Sequence, residues 1–212
     1  MPMTRCRTAQ VLGVTLVSAI LATPARAQNR LPPIPAAELT PAQQQAVADF
    51  RAARMAEPTG PFIAMLRSPE VMSRARALGD YLRYKTRLTP RQSEFVILMA
   101  ARSWTQQYEW AVHYPIAVEA GVKPDVARAI AERRRPDGMT AEEATLYDFC
   151  DELLRTQAVG DEAYSRMVAA FGEAGVMDTV GIVGYYTMVA MVLNTARTPA
   201  PDNGAPRLPP LK

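Results

Sequence analysis

Cysteine and histidine are almost missing from this chain of 212 residues, which has two of the first and one of the second. Cys6 lies in a leader-like N-terminal stretch, so Cys150 stands alone in the remainder and no intrachain disulfide can form there. Cys150 sits in the amphipathic run Leu146–Asp151, where a free cysteine is expected to serve as a small buried apolar residue, not as a reactive thiol. One histidine with scattered carboxylates falls short of a zinc ligand set, and no glycine-rich phosphate loop occurs. No metal site is therefore expected. Alternating apolar–polar runs of the kind that make strands are also missing, which leaves an all-α chain with short loops. The chain lacks a large excess of either charge. Its 24 basic residues outnumber 21 acidic ones only through Arg5, Arg7 and Arg26, all in the first 27 positions, so the rest balances at 21 against 21. Such a chain has no general basic surface for nucleic acid. The local run Arg133-Arg134-Arg135 falls at a predicted helix end, where it complements the helix dipole.

The ends differ from the middle. Residues 1–27 carry a basic start, a short apolar run from Val11 to Ala22 and the small-x-small site Ala25-Arg26-Ala27, which together predict a signal peptide. A mostly apolar run of twelve residues is too short to span a bilayer. The expected product is a periplasmic or secreted protein that begins at Gln28 and has no stable membrane span after cleavage. Residues 28–39 are a Pro-rich lead-in and 198–212 a Pro-rich tail, neither able to form a packed helix. Residues 40–197 remain, the length of one ordinary domain.

Helix starts punctuate that domain. Thr40-Pro41, Ser68-Pro69 and Thr89-Pro90 each pair a hydroxyl N-cap with proline at the first helical position. They predict helices over about 40–55, 69–84 and from 90 onward, with a short piece near 61–66. Val71, Ala75, Leu78 and Leu82 give the second of these its apolar spacing. Ser103-Trp104-Thr105-Gln106 has the capping-box pattern and predicts a new helix near Thr105, closed by Gly121 and kinked by Pro115. Further helices are predicted over 124–135, from a Thr140 capping box to Gln157, from an Asp161 cap to Ala174 with Gly175 as its stop, and over Met177–Ala196. The last is apolar nearly all round, so it is expected at the centre or at a subunit interface.

The single histidine, His113, lies four residues after Glu109, hence on the same helix face one turn away. Glu94 lies upstream in another helical run. Two carboxylates and an imidazole suffice for proton transfer. The imidazole titrates near neutral pH, and a glutamate one turn away can fix its tautomer and raise its pKa. His113 is thus the candidate acid/base, with Glu109 as its partner or as a second acid/base and Glu94 as a relay. Gln106 and Tyr108 are candidates to hydrogen-bond a substrate, and Arg102 either pairs with a substrate carboxylate or caps a helix end. Trp104 and Trp110 read as core or interface anchors, Tyr185 and Tyr186 as packing residues of which one could line a pocket.

A helix with Glu94, a break, then Glu109-Trp110-Ala111-Val112-His113 and Ala117-x-x-Ala120-Gly121 resembles the carboxymuconolactone decarboxylase family, which includes the alkylhydroperoxidase D-like proteins. The resemblance covers roughly 60–195 and implies a compact all-α domain that assembles as a trimer or hexamer. Peroxidase-type members carry a Cys-x-x-Cys pair at the positions held here by Gln106 and Glu109, so a thiol–disulfide cycle is not expected. The decarboxylase branch implies a cofactor-free carboxy-lyase acting by proton transfer on a small lactone or keto acid. The alternative is a non-catalytic helical binding protein on the same fold.

Overall fold

The computed structural model describes residues 29–210; the leader expected over 1–27 lies outside them. Eight α-helices and one short 3-10 helix (Ala36–Glu38) occupy the described residues, with no strand among them: α1 (Pro41–Arg54), α2 (Pro61–Met65), α3 (Pro69–Tyr84), α4 (Pro90–Ser103), α5 (Gln107–Glu119), α6 (Pro124–Ala131), α7 (Ala141–Thr156) and α8 (Asp161–Ala196).

The hydroxyl–proline starts behave as their chemistry requires. Thr40 and Thr89 accept the N–H of Gln43 and Gln92 while those glutamines reach back, and Thr140 does the same with Glu143. Ser68 is an N-cap without a side-chain bond, so Pro69 alone marks that start. At the other ends, Gly121 takes φ 102° as Val122 N–H returns to Ala117 O at 2.9 Å and Gly121 N–H to Val118 O at 3.0 Å, a Schellman closure of α5.

Three expectations need correction. The Ser103–Gln106 capping box does not form. Thr105 stands in the left-handed region at φ 47°, with Gln106 N–H on Ala101 O and Thr105 N–H on Arg102 O. The same Schellman geometry thus closes α4 with threonine where glycine is usual. Gln106 itself caps α5, its side chain accepting Tyr108 N–H at 2.6 Å. Secondly, Gly172, not Gly175, breaks the C-terminal helix. It has φ 68° and ψ 170°, while Gly175 continues the helix and is buried. Thirdly, Asp161 does not cap that helix: it is the first helical residue, and Gly160 is the N-cap with no side-chain bond. The most enclosed helix is α4, where every residue from Ser93 to Arg102 is buried, and α8 packs against it as well as against α2, α3 and α7. α4 lies against α5, α6, α7 and α8. Such complete burial needs a helix with little charge, and this stretch is apolar except at Ser93, Glu94 and Arg102.

On α3 the buried stripe is Met72, Ala75, Gly79 and Leu82, whereas Val71 and Leu78 face outward. Gly79 lets Tyr185 of α8 come in close: a Cβ there would collide with the Tyr185 hydroxyl and lie 2.7 Å from its Cζ. Gly79→Ala is expected to destabilise the protein by about 1–3 kcal/mol through overpacking. Denaturant midpoints measure this, and an unchanged midpoint would contradict it.

The Pro-rich ends form no α-helix, yet they are fastened down. Leu208 of the tail is 3% exposed and exchanges two hydrogen bonds with the Gln107 side chain, at 2.8 and 3.1 Å. Asn203 Nδ2 donates to Ala111 O at 2.8 Å. In the lead-in, Arg30 N–H donates to Ala196 O at 2.7 Å, and Ile34 and Leu39 pack on the core.

Candidate active site

The three-residue turn between α4 and α5 doubles the chain back on itself, so residues far apart in sequence face each other. Glu94 of α4 and His113 of α5 meet: His113 Nδ1 and Glu94 Oε2 are 2.7 Å apart. On the other edge of the ring, His113 Nε2 is 3.4 Å from Glu109 Oε2, the neighbour one turn away on α5. All three side chains are about 95% buried. Burial works against a charged ring. Glu109 and Glu94 more than offset it and raise the pKa of His113 from 6.5 to about 9. At neutral pH the ring is an imidazolium donating Nδ1–H to Glu94.

α3 and α8 complete the surroundings. Arg83 Nη2 is 3.6 Å from Glu94 Oε1, and its Nε is buried with no hydrogen-bond partner among the described residues. Burial opposes the Arg83 charge, but Tyr186, Tyr84, Glu94 and Glu109 around it raise its pKa. Tyr186 meets the His113 ring edge to face, centroids 5.0 Å apart at 87°, and Tyr185 meets Tyr186 likewise at 5.2 Å. Burial chiefly pushes both phenols up, Tyr185 to about 12 and Tyr186 well above its usual value, so both stay protonated.

A pocket of about 150 Å³ opens onto this group. His113 and Glu109 line it, and so do Arg83, Tyr108, Tyr185 and Tyr186; Glu94 lies behind the ring and does not. Phe62 and Arg54 form another part of the wall, Arg54 stacking on Phe62 at 4.7 Å and pairing with Asp80 at 2.8 Å. Tyr108 keeps its place in the wall because Gly60, at φ 56°, leaves room for the phenol. The pocket thus offers a proton donor, a carboxylate beside it and an arginine, under aromatic cover.

Of the residues singled out in the sequence, His113, Glu109, Glu94 and Tyr108 come together. Gln106 and Arg102 do not. Gln106 donates to Asn194 Oδ1 at 2.7 Å while capping α5, and Arg102 donates to Thr105 Oγ1 and Pro209 O. Both hold the α4–α5 turn and the tail in place and line no part of the His113 pocket. Arg83, Arg54 and Phe62 belong to the pocket without a sequence signal beyond ordinary helix composition. Trp110 is core, 1% exposed, and Trp104 donates to Thr187 Oγ1 at 3.3 Å. Cys150 is fully buried in α7, its thiol pushed up mainly by burial, and is not among the pocket residues.

Comparison with known proteins agrees with this architecture. Residues 69–151 match the model of the Carboxymuconolactone decarboxylase family. No curated protein matches the chain. Among solved structures, an uncharacterized peroxidase-related protein from Ralstonia eutropha JMP134, described as an alkylhydroperoxidase AhpD core, superposes with a TM-score of 0.66 at 19% identity. The match covers 82% of this chain and 92% of that one. An uncharacterized peroxidase-related protein from Silicibacter sp. TM1040 gives 0.65 at 12% identity, covering 84% and 94%. The chain has the alkylhydroperoxidase D-like all-α fold, and the stretch that matches the Carboxymuconolactone decarboxylase family model, residues 69–151, carries Glu94, Glu109 and His113.

Proposed function

We propose that this protein is a cofactor-free acid/base enzyme, a carboxy-lyase acting on a small lactone or keto acid. The observation that supports this reading most is the buried imidazole held between Glu94 and Glu109 at the wall of a pocket that also presents Arg83. Arg83 receives the substrate carboxyl or a second acidic group, since its Nε has no other partner and a guanidinium suits a carboxylate. The C–CO2 bond then breaks, carbon dioxide leaves, and the electron pair moves into the neighbouring carbonyl as an enolate. His113 delivers its Nε2 proton to the carbon or oxygen that bears this charge, and solvent returns a proton through Glu109. Glu94 holds the ring by Nδ1, so the positioning role falls to Glu94 and the pocket-facing role to Glu109. The two neutral phenols exclude water and donate hydrogen bonds to developing charge.

A thiol peroxidase cycle has less support. By the family resemblance Gln106 and Glu109 stand where paired cysteines would be, and the thiol of Cys150 is sealed in the core. The test is carbon dioxide release together with substrate loss over a panel of lactone acids and β-keto acids. Turnover with carbon dioxide is the expected result. Substrate loss without it would replace the carboxy-lyase by an isomerase, and silence across the panel would favour a binding protein. Arg83→Gln should raise KM about tenfold or more with a smaller change in kcat, as loss of a charged hydrogen bond does. An unchanged KM would remove Arg83 from substrate binding.

We also infer export, from the leader pattern of residues 1–27, and self-association. Val71 and Leu78 lie on one outward face of α3, and Met191 of α8 borders an apolar groove shared with Val71, Ala64 and Val192. Exposed apolar surface of this kind suits a second copy of the chain. Sedimentation equilibrium should show a homo-oligomer, and Met191→Glu should shift it toward monomer. A monomeric wild type at high concentration would refute this.

A further inference from the structure

A second cavity, larger than the one at His113, lies elsewhere in the fold. A space of about 480 Å³ opens between α4, α6 and α7, and shares no residue with the His113 pocket. Its size falls in the range of small-molecule sites.

Arg102 is the unusual feature of that cavity. It is 5% exposed, and the groups that receive its Nη1 are neutral: Thr105 Oγ1 at 3.3 Å and Pro209 O at 2.9 Å. Its Nε is buried with no hydrogen-bond partner among the described residues. A buried guanidinium with a donor unmet and no carboxylate beside it is costly unless an anion completes it. Burial, then the nearby Arg133, lower its pKa, as expected where cations gather without a counter-charge. Arg133 and Arg155 add two more guanidiniums at the exposed rim. The one acid that lines the space, Asp151, lies 3.6 Å from Arg155. Met99, Ile130 and Leu154 supply apolar walls, and Tyr147 a ring.

We propose that this cavity is a binding site for a small organic anion, an arylalkyl carboxylate, with its carboxylate on Arg102 and its apolar body against Met99, Ile130 and Leu154. Tyr147 stacks on the aryl group, and Arg133 and Arg155 raise the local concentration of anions at the mouth. The site is independent of the His113 chemistry and stands whether or not the protein is a lyase.

Calorimetric titration with 3-phenylpropionate tests it, alongside the neutral 3-phenylpropanol. The carboxylate should bind at least about tenfold more tightly than the alcohol, and Arg102→Gln should weaken it by about tenfold or more. The double variant Arg133→Gln/Arg155→Gln should weaken it less. Arg83→Gln, in the other pocket, should leave it unchanged. Arg102 also holds the tail, so circular dichroism accompanies its variant. The rim double variant alters exposed side chains only and carries the test if Arg102→Gln fails to fold. Absent binding of 3-phenylpropionate at millimolar concentration, equal affinity for the alcohol, or affinity lost only in Arg83→Gln would each overturn the proposal.

Discussion

His113→Gln is expected to lower kcat by about 10²- to 10⁴-fold on any substrate the enzyme turns over, the usual weight of a positioned general acid. Glutamine can keep a hydrogen bond to Glu94 but has no proton to transfer. It also leaves Glu94 and Glu109 facing each other without the cation between them. Helical content by circular dichroism separates lost chemistry from lost fold. The two glutamates are then told apart by their geometry. Glu94→Gln loosens the ring from its 2.7 Å partner and should act through His113, moving the pH–rate profile because the imidazolium loses a stabilising charge. Glu109→Gln removes a group that lines the pocket at 3.4 Å from Nε2, and should lower kcat with less movement of that profile. Wild-type turnover in His113→Gln would end the acid/base reading whatever the other variants did.

How much of this could be read in the residues depends on whether the signal was local. The i, i+4 pair Glu109–His113, the threonine–proline helix starts and the Gly121 cap are local, and the structure has them where the spacing put them. The Thr105 turn was misread because its Schellman geometry uses a threonine at positive φ, and Ser103–Gln106 offered a capping box of the same length. Gly172 and Gly175 compete as breaks three residues apart, and nothing in the composition says which one takes the left-handed conformation. Glu94 is legible as a carboxylate in the neighbouring helical run and through the family pattern, but its contact with His113 needs the α4–α5 reversal. Arg83 and Tyr186 reach the site from α3 and α8, more than 25 and 70 residues from His113, and pairing over such distances leaves no periodic trace. The tail follows its proline content in avoiding helix, but its anchors, Leu208 on Gln107, Asn203 on Ala111 and Pro209 on Arg102, pair with α4 and α5 far back in the chain and leave no local trace.

Stability should fall between about pH 6.5 and 9, and this fall should vanish in His113→Gln. The unfolded imidazole has a pKa near 6.5 and the folded one about 9, so the folded state holds its proton across a window in which the unfolded state releases it. A raised folded pKa stabilises fully below the unfolded value and is lost as pH rises through the folded value. The gap corresponds to about 3 kcal/mol for a group this deeply buried. That is a large share of the stability of a single domain. Urea unfolding at pH 6, 7.5 and 9 measures it, with wild type and His113→Gln compared at each pH so that other titrating groups cancel. The chain has one histidine, so the Cε1 proton resonance needs no assignment and gives the ring's pKa directly. A midpoint near 6.5 in the folded protein would mean that the two carboxylates do not hold the proton, and the loaded acid at neutral pH would go with it. A midpoint near 9 ties stability and chemistry to the same proton: turnover that depends on the imidazolium should decline through the pH at which the fold loses this support.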